Sequence, residues 1–168
     1  MRPWEKRSIE EANLLNPAFL SVIAHQCLKG YGGESGSNVP YILPFLIAPL
    51  ILHKNTRENL PSTIATKFPT WISQPYGTQA KAGYSQRASS IVPFMKEAMT
   101  VSFSKKIILP TENYYFLTYN PQIKIPSIVS GPFTREVIEC FKKSHFCGRW
   151  FAKVGSIETT MALLGVKP

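Results

Sequence analysis

The chain has 168 residues, 44% hydrophobic and 17% charged, enough apolar material to bury a core and to exclude a generally disordered polymer. It carries 19 Lys and Arg against 10 acidic residues, a formal net charge of +9, and every acid is a Glu. A chain without Asp, its glutamates scattered, lacks the clustered carboxylates with which metal-dependent nucleases and phosphotransferases hold their cation, whereas its basic balance fits a polyanion or an acidic partner.

The length suits one compact domain over residues 1–168, with about 1–120 forming a helical core plus a hairpin and about 132–168 forming C-terminal helices. In chain order, Ser8-Ile-Glu-Glu11 has capping-box spacing. Asn16-Pro17 opens a helix, with Asn16 as cap and Phe19, Val22, Ile23 and Cys27 on its core face, ending near Gly30. The glycine-rich segment 30–38 reads as a flexible loop. From Pro40 a helix that is apolar all round should sit centrally, kinked by Pro49, before a polar exit at His53–Asn59. Residues 61–67 start a short helix that continues through Trp71 and Ile72, and 75–79 form a break. A helix covers about 80–92, and Pro93 starts or kinks the next. Ile107–Leu109 and Tyr114–Thr118 are β-like runs around a turn of hairpin composition. After a Pro-rich connection over 119–132, a long helix opens at Thr134 and runs towards Ala152, and Ser156 caps a final short helix stopped by Gly165. The expected fold class is therefore α+β, mainly helical, with a winged-helix-like core, a small β-hairpin and C-terminal helices; the winged-helix element is a fold analogy and gives no function by itself.

Chemical motifs are sparse. The glycines at 30–36 lack the Gly-Lys-Ser/Thr of a nucleotide P-loop and follow no clear strand. Cys140, His145 and Cys147 have zinc-ligand chemistry, but C-x4-H-x-C does not put three ligands on one helical face and no fourth ligand is near, so no metal or cofactor is expected. As a Cys–His catalytic pair the same residues lack an orienting Asp, and there is no Gly-x-Ser-x-Gly elbow; a small hydrolase on Cys140 or Cys147 is the weakest reading, and the chain is expected not to be an enzyme. His25 and His53 read as hydrogen-bonded core or cap residues. Three cysteines behind a start with no apolar signal segment read as free thiols in a cytoplasmic protein. The longest apolar stretch, 39–52, carries three prolines and is too short to span a membrane.

Two sets of residues are candidates for contact. The basic pairs Lys105-Lys106 and Lys142-Lys143 could touch DNA phosphates, or form solvated helix ends where Lys favours the dipole. Arg149, Trp150 and Phe151 stand in a row on one helix, and three consecutive directions about 100° apart are hard to bury together. Arg149 and Trp150 beside Phe151 thus read as partner-interface candidates, against the alternative that Trp150 packs inside on Phe133 or Phe141.

The series NPAF, KGYGG, LPFLIAPLILHKNTRENLPSTIATKFPTWI, QRASSIVPFMKEAM and the closing FCGRWFAKVGSIETTMALLGVKP resembles the middle component of three-component ABC systems, over most of the chain. None of these pieces is a catalytic motif. The resemblance implies an accessory or bridging subunit working with an SMC-like ABC ATPase and an effector, often a nuclease, in assemblies similar to the anti-phage and anti-plasmid Lamassu systems, with DNA reached through the assembled complex. The rival reading of the residues is a stand-alone DNA-binding winged-helix regulator.

Overall fold

A computed structural model describes residues 8, 15–126, 128–131 and 133–166. Apart from Ser8, the capping-box segment at 8–11 lies outside them. Helix α1 (Pro17–Ser35) starts as its sequence requires: the Asn16 side chain accepts the Ala18 N–H at 2.8 Å, and Pro17 occupies the first turn. It does not stop near Gly30. It runs on through Gly32 and Gly33 and ends at Gly36, whose φ of 66° closes the helix in the left-handed region. Segment 30–38 is thus mostly helix, because packing against another helix overrides the weak propensity of glycine.

Strand β1 (Val39–Pro40) leads into α2 (Leu43–Leu52), whose residues Leu43 to Ile51 are all buried and which contains Pro49. Helix α3 (Lys54–Glu58) follows. The short helix expected from residue 61 starts later, as α4 (Phe68–Ile72), and the expected break at 75–79 is itself α5 (Pro75–Lys81). Both helices carry Pro in their first turn, where its missing N–H costs nothing. Helix α6 (Tyr84–Ser104) is one element of 21 residues with Pro93 inside it. Strands β2 (Ile108–Pro110) and β3 (Phe116–Tyr119) form the expected hairpin. Then come α7 (Arg135–Phe151), capped by Thr134, and α8 (Ile157–Leu164), capped by Ser156 and closed by Gly165. The fold is mainly helical α+β. β1 pairs with β3 at Val39–Leu117, giving a three-stranded antiparallel sheet of order β1-β3-β2.

One hydrophobic cluster reaches from Leu20 to Leu164. Its centre is the α1–α7 crossing, where two glycines replace side chains. A Cβ on Gly30 would stand 2.1 Å from the His145 carbonyl oxygen, and one on Gly148 would stand 2.2 Å from the Cys27 carbonyl oxygen. The helices therefore meet backbone to backbone. Ser144 reinforces the crossing by donating to the Ile23 carbonyl at 2.7 Å, and Ser21 donates to Ala98 of α6 at 2.9 Å. The apolar α2 is covered by α1, α6 and α7, and the buried Tyr84 hydroxyl donates to the Leu46 carbonyl at 2.5 Å.

The polar exit after α2 hides a buried cation. Arg57 is 2% exposed. Its Nη1 donates to the Ile51 carbonyl at 2.7 Å, its Nη2 to Glu136 Oε1 at 2.5 Å, and its Nε lies 3.7 Å from Glu139. Burying a guanidinium requires such pairing, so Arg57 ties the end of α2 to the start of α7.

The glycines give opposite signs. Gly148→Ala and Gly30→Ala should each destabilise the chain by about 1–3 kcal/mol through overpacking. Gly33→Ala, in the same α1 but with open space around its Cβ position, should stabilise by about 0.4–1 kcal/mol. Chemical denaturation midpoints check this; equal signs would mean that the crossing does not depend on its glycines.

Candidate functional site

Trp150 and Phe151 belong to the core. Trp150 is 1% exposed, and its Nε1 donates to the Thr66 carbonyl at 2.6 Å. Its ring meets Phe68 and Trp71 edge to face at 5.1 and 5.3 Å, and Phe151 meets Phe68 at 5.1 Å. The packing partners are thus Phe68 and Trp71 of α4 rather than Phe133 or Phe141, and neither Trp150 nor Phe151 has surface to offer a partner in this conformation. One face of α7 accommodates both because α4 and the segment before it wrap that flank. Arg149 alone of the three points outwards. Its Nε donates to Glu34 Oε2 at 3.0 Å, and Lys153 Nζ lies 3.2 Å from the same carboxylate. Those two cations hold the Glu34 carboxyl below its ordinary range, the Arg149 hydrogen bond contributing most.

The basic pairs divide. Lys105 and Lys106 are exposed where α6 ends, and Lys106 takes a positive φ of 54° in the turn towards β2. Lys142 and Lys143, a helical step apart, face different ways. Lys143 Nζ sits 5.8 Å from the Phe146 ring centroid. Lys142 lines an open cleft of about 370 Å³ between α1 and α7, with Gln26, Lys29, Ile125, Pro126, Phe141 and His145. Burial lowers the affinity of His145 for a proton, and nearby Lys29 and Arg149 lower it further. Lys29 gave no functional signal in the sequence and His145 was weighed only with Cys140 and Cys147; the helix crossing brings the two together with Lys142.

The other titratable residues are structural. His25 is fully buried, and its Nε2 is 2.9 Å from the Asn120 carbonyl oxygen. Burial is the main cause of its lowered pKa, so it is neutral near pH 7 and donates Nε2–H to Asn120. His53 Nδ1 lies 2.7 Å from Thr56 Oγ1, at the start of α3. All three cysteines are free and buried. Burial pushes the Cys140 thiol to about 11 and the Cys147 thiol to about 12, and that of Cys27 well above its usual value. A thiolate, the nucleophilic and metal-binding form, is therefore disfavoured at each. Among the described residues no group of three or more His, Cys, Asp or Glu is placed to hold a metal ion.

The most conspicuous exposed apolar surface is the β2–β3 hairpin. Tyr114 and Tyr115 are 80% and 81% exposed, and Phe116 and Leu109 also face outwards. Strand alternation explains the last two, since Ile108 and Leu117 are the inward partners and are fully buried. The tip backbone is fixed: the Tyr41 N–H donates to the Tyr115 carbonyl at 2.8 Å, Phe116 N–H to Asn113 at 2.9 Å, and Thr111 Oγ1 to the Asn113 carbonyl at 2.6 Å. The rings are displayed on a held loop, the arrangement of an interface aromatic. The sequence reading used these residues only as strand and turn.

Residues 4–168 match the family model described as ABC-three component (ABC-3C) system Middle Component 3. No curated protein and no solved structure matches the chain significantly.

Thiol burial has a direct readout. The native chain should leave all three cysteines unreacted with a disulfide reagent at neutral pH, and the denatured chain should titrate all three. Rapid reaction of one thiol in the folded chain would reopen the Cys–His reading.

Proposed function

The chain belongs to the Middle Component 3 family of ABC-three component systems, and from that premise we propose that it is a non-catalytic bridging subunit that joins an SMC-like ABC ATPase to an effector component, an expected nuclease, in anti-phage or anti-plasmid defence. The observation that carries this reading is the aromatic hairpin. Among the described residues Tyr114 and Tyr115 are the most exposed rings, and they stand on a hydrogen-bonded turn. Large rings with two rotatable torsions bind at low entropic cost, and exposed clusters of them mark protein interfaces. The depressed nucleophilicity of the cysteines and the structural roles of His25 and His53 support assigning ATP hydrolysis and nucleic-acid cleavage to the partners.

A small antiparallel sheet, in which the β2–β3 hairpin is extended by the strand between α1 and α2, also supports the winged-helix-like description. In that description Tyr114 and Tyr115 lie in the wing, a projecting element suited to reach a neighbouring subunit. Arg149, already engaged with Glu34, can serve the same assembly.

Co-expression with the two neighbouring components tests the reading. Tyr114→Ala/Tyr115→Ala should leave the melting temperature within about 2 °C, since exposed side chains add little stability, yet lose co-purification with at least one partner. Full recovery of the ternary complex with that variant would remove the hairpin as the bridge, and a wild-type chain that associates with neither component would remove the bridging role itself.

A further inference from the structure

We propose that the cleft between α1 and α7 binds the phosphate backbone of double-stranded DNA, with Lys29 and Lys142 contacting phosphates and His145 as a third donor. The first ground is convergence. The three side chains come from two helices and share one cleft with the Gln26 amide. Among the described residues neither Lys29 nor Lys142 has an ion-pair partner.

The second ground is how the acids are disposed. Glu34, the carboxylate of α1, is taken by Arg149 and Lys153. Glu136 and Glu139 of α7 are paired with Arg57. Among the described residues no carboxylate lines the cleft. The groups facing His145 are Lys29 from α1 and Lys142 and Arg149 from α7, while the 121–126 connection contributes the uncharged Ile125 and Pro126. Those apolar walls reduce screening and strengthen charge-assisted hydrogen bonds to an anion.

The third ground is continuity. The Lys106 carbonyl accepts from the Asn120 side chain at 3.2 Å, and the Asn120 carbonyl accepts from His25, the residue before Gln26 of the cleft. The exposed Lys105 and Lys106 are therefore linked to the cleft through Asn120 and His25, and Lys124 lies on the connection beside it. Such a row suits a run of phosphates. The donor chemistry favours phosphate over an acidic peptide, because planar carboxylates are recognised best by the arginine fork, whereas Lys is a compact point charge on a flexible stem. No exposed ring lines the cleft, Phe141 being 4% exposed, so bases have nothing to stack on and an intact duplex is favoured over a single strand. Binding of this kind is independent of base sequence.

Fluorescence anisotropy of the full chain with a labelled mixed-sequence DNA duplex, over a salt series, tests the site. Each neutralised phosphate contributes about −0.9 to the slope of log K against log salt. Lys29→Gln/Lys142→Gln should weaken binding by about tenfold or more at low salt and flatten the slope by about two. Lys54→Gln/Lys67→Gln, the same charge change on the other flank of α7, should leave the slope unaltered. Protonated His145 is stabilised by a bound phosphate, so affinity should rise as pH falls from neutral through the ordinary histidine value of 6.5, and His145→Gln should reduce that rise. Tyr114→Ala/Tyr115→Ala should bind the duplex like wild type, which separates this site from the bridging surface. An unchanged salt slope in the Lys29/Lys142 variant, or equal loss in the control variant, overturns the proposal. Stronger competition by polyglutamate than by unlabelled duplex also overturns it and assigns the cleft to an acidic protein segment.

Discussion

The contact on which the molecule turns is the backbone-to-backbone crossing of α1 and α7. Gly30 meets the His145 carbonyl and Gly148 meets the Cys27 carbonyl, each at a distance no Cβ could share. Everything placed by α7 follows from that registration. Lys29 comes beside Lys142 and His145, and Glu34 comes beside Arg149 and Lys153. Trp150 and Phe151 are turned into α4. The crossing also buries Cys27 and Cys147, so the same contact that builds the core quenches two of the three thiols.

Charge is partitioned by the same geometry. Among the described residues three glutamates are committed to internal ion pairs with arginines, two with the buried Arg57 and one with Arg149. Arg57 is held because its guanidinium satisfies the end of α2 and the start of α7 together, a demand that a lysine with one point charge could not meet. With those carboxylates engaged elsewhere, the lysines at the cleft and at the end of α6 stand as unbalanced charge.

The proposed interaction surfaces use side chains that contribute little to the core. The hairpin tip is held by backbone hydrogen bonds to Asn113 and Tyr41, so its rings can vary without unpacking the helices. The cleft lysines stand on core helices but point outwards from them. A subunit that assembles with others benefits from that separation, because a surface can change while the scaffold that presents it does not.

The sequence by itself determined the elements whose signals are local. Asn16-Pro17, Thr134, Ser156 and Gly165 set helix ends through caps that involve only neighbouring residues. The all-round apolarity of the segment from Pro40 to Leu52 made α2 central, and two β-like runs around a turn-forming segment pointed to the hairpin. The family resemblance was also carried by the sequence. Helix phase and partner were not legible. Gly30 to Ser35 read as loop because glycine propensity is weak, and at Gly30 only contact with α7 makes the missing side chain favourable. Arg57 read as a polar exit because its two acids lie some 80 residues away in sequence. Trp150 read as a possible surface anchor because the short α4 that covers it could not be placed from residue spacing. Lys29, Lys142 and His145 form one cleft only after two helices cross at fixed register. Caps and periodicity act within a few residues and are written in order along the chain; burial, pairing and charge convergence depend on contacts between distant segments, and the tertiary structure alone decided them.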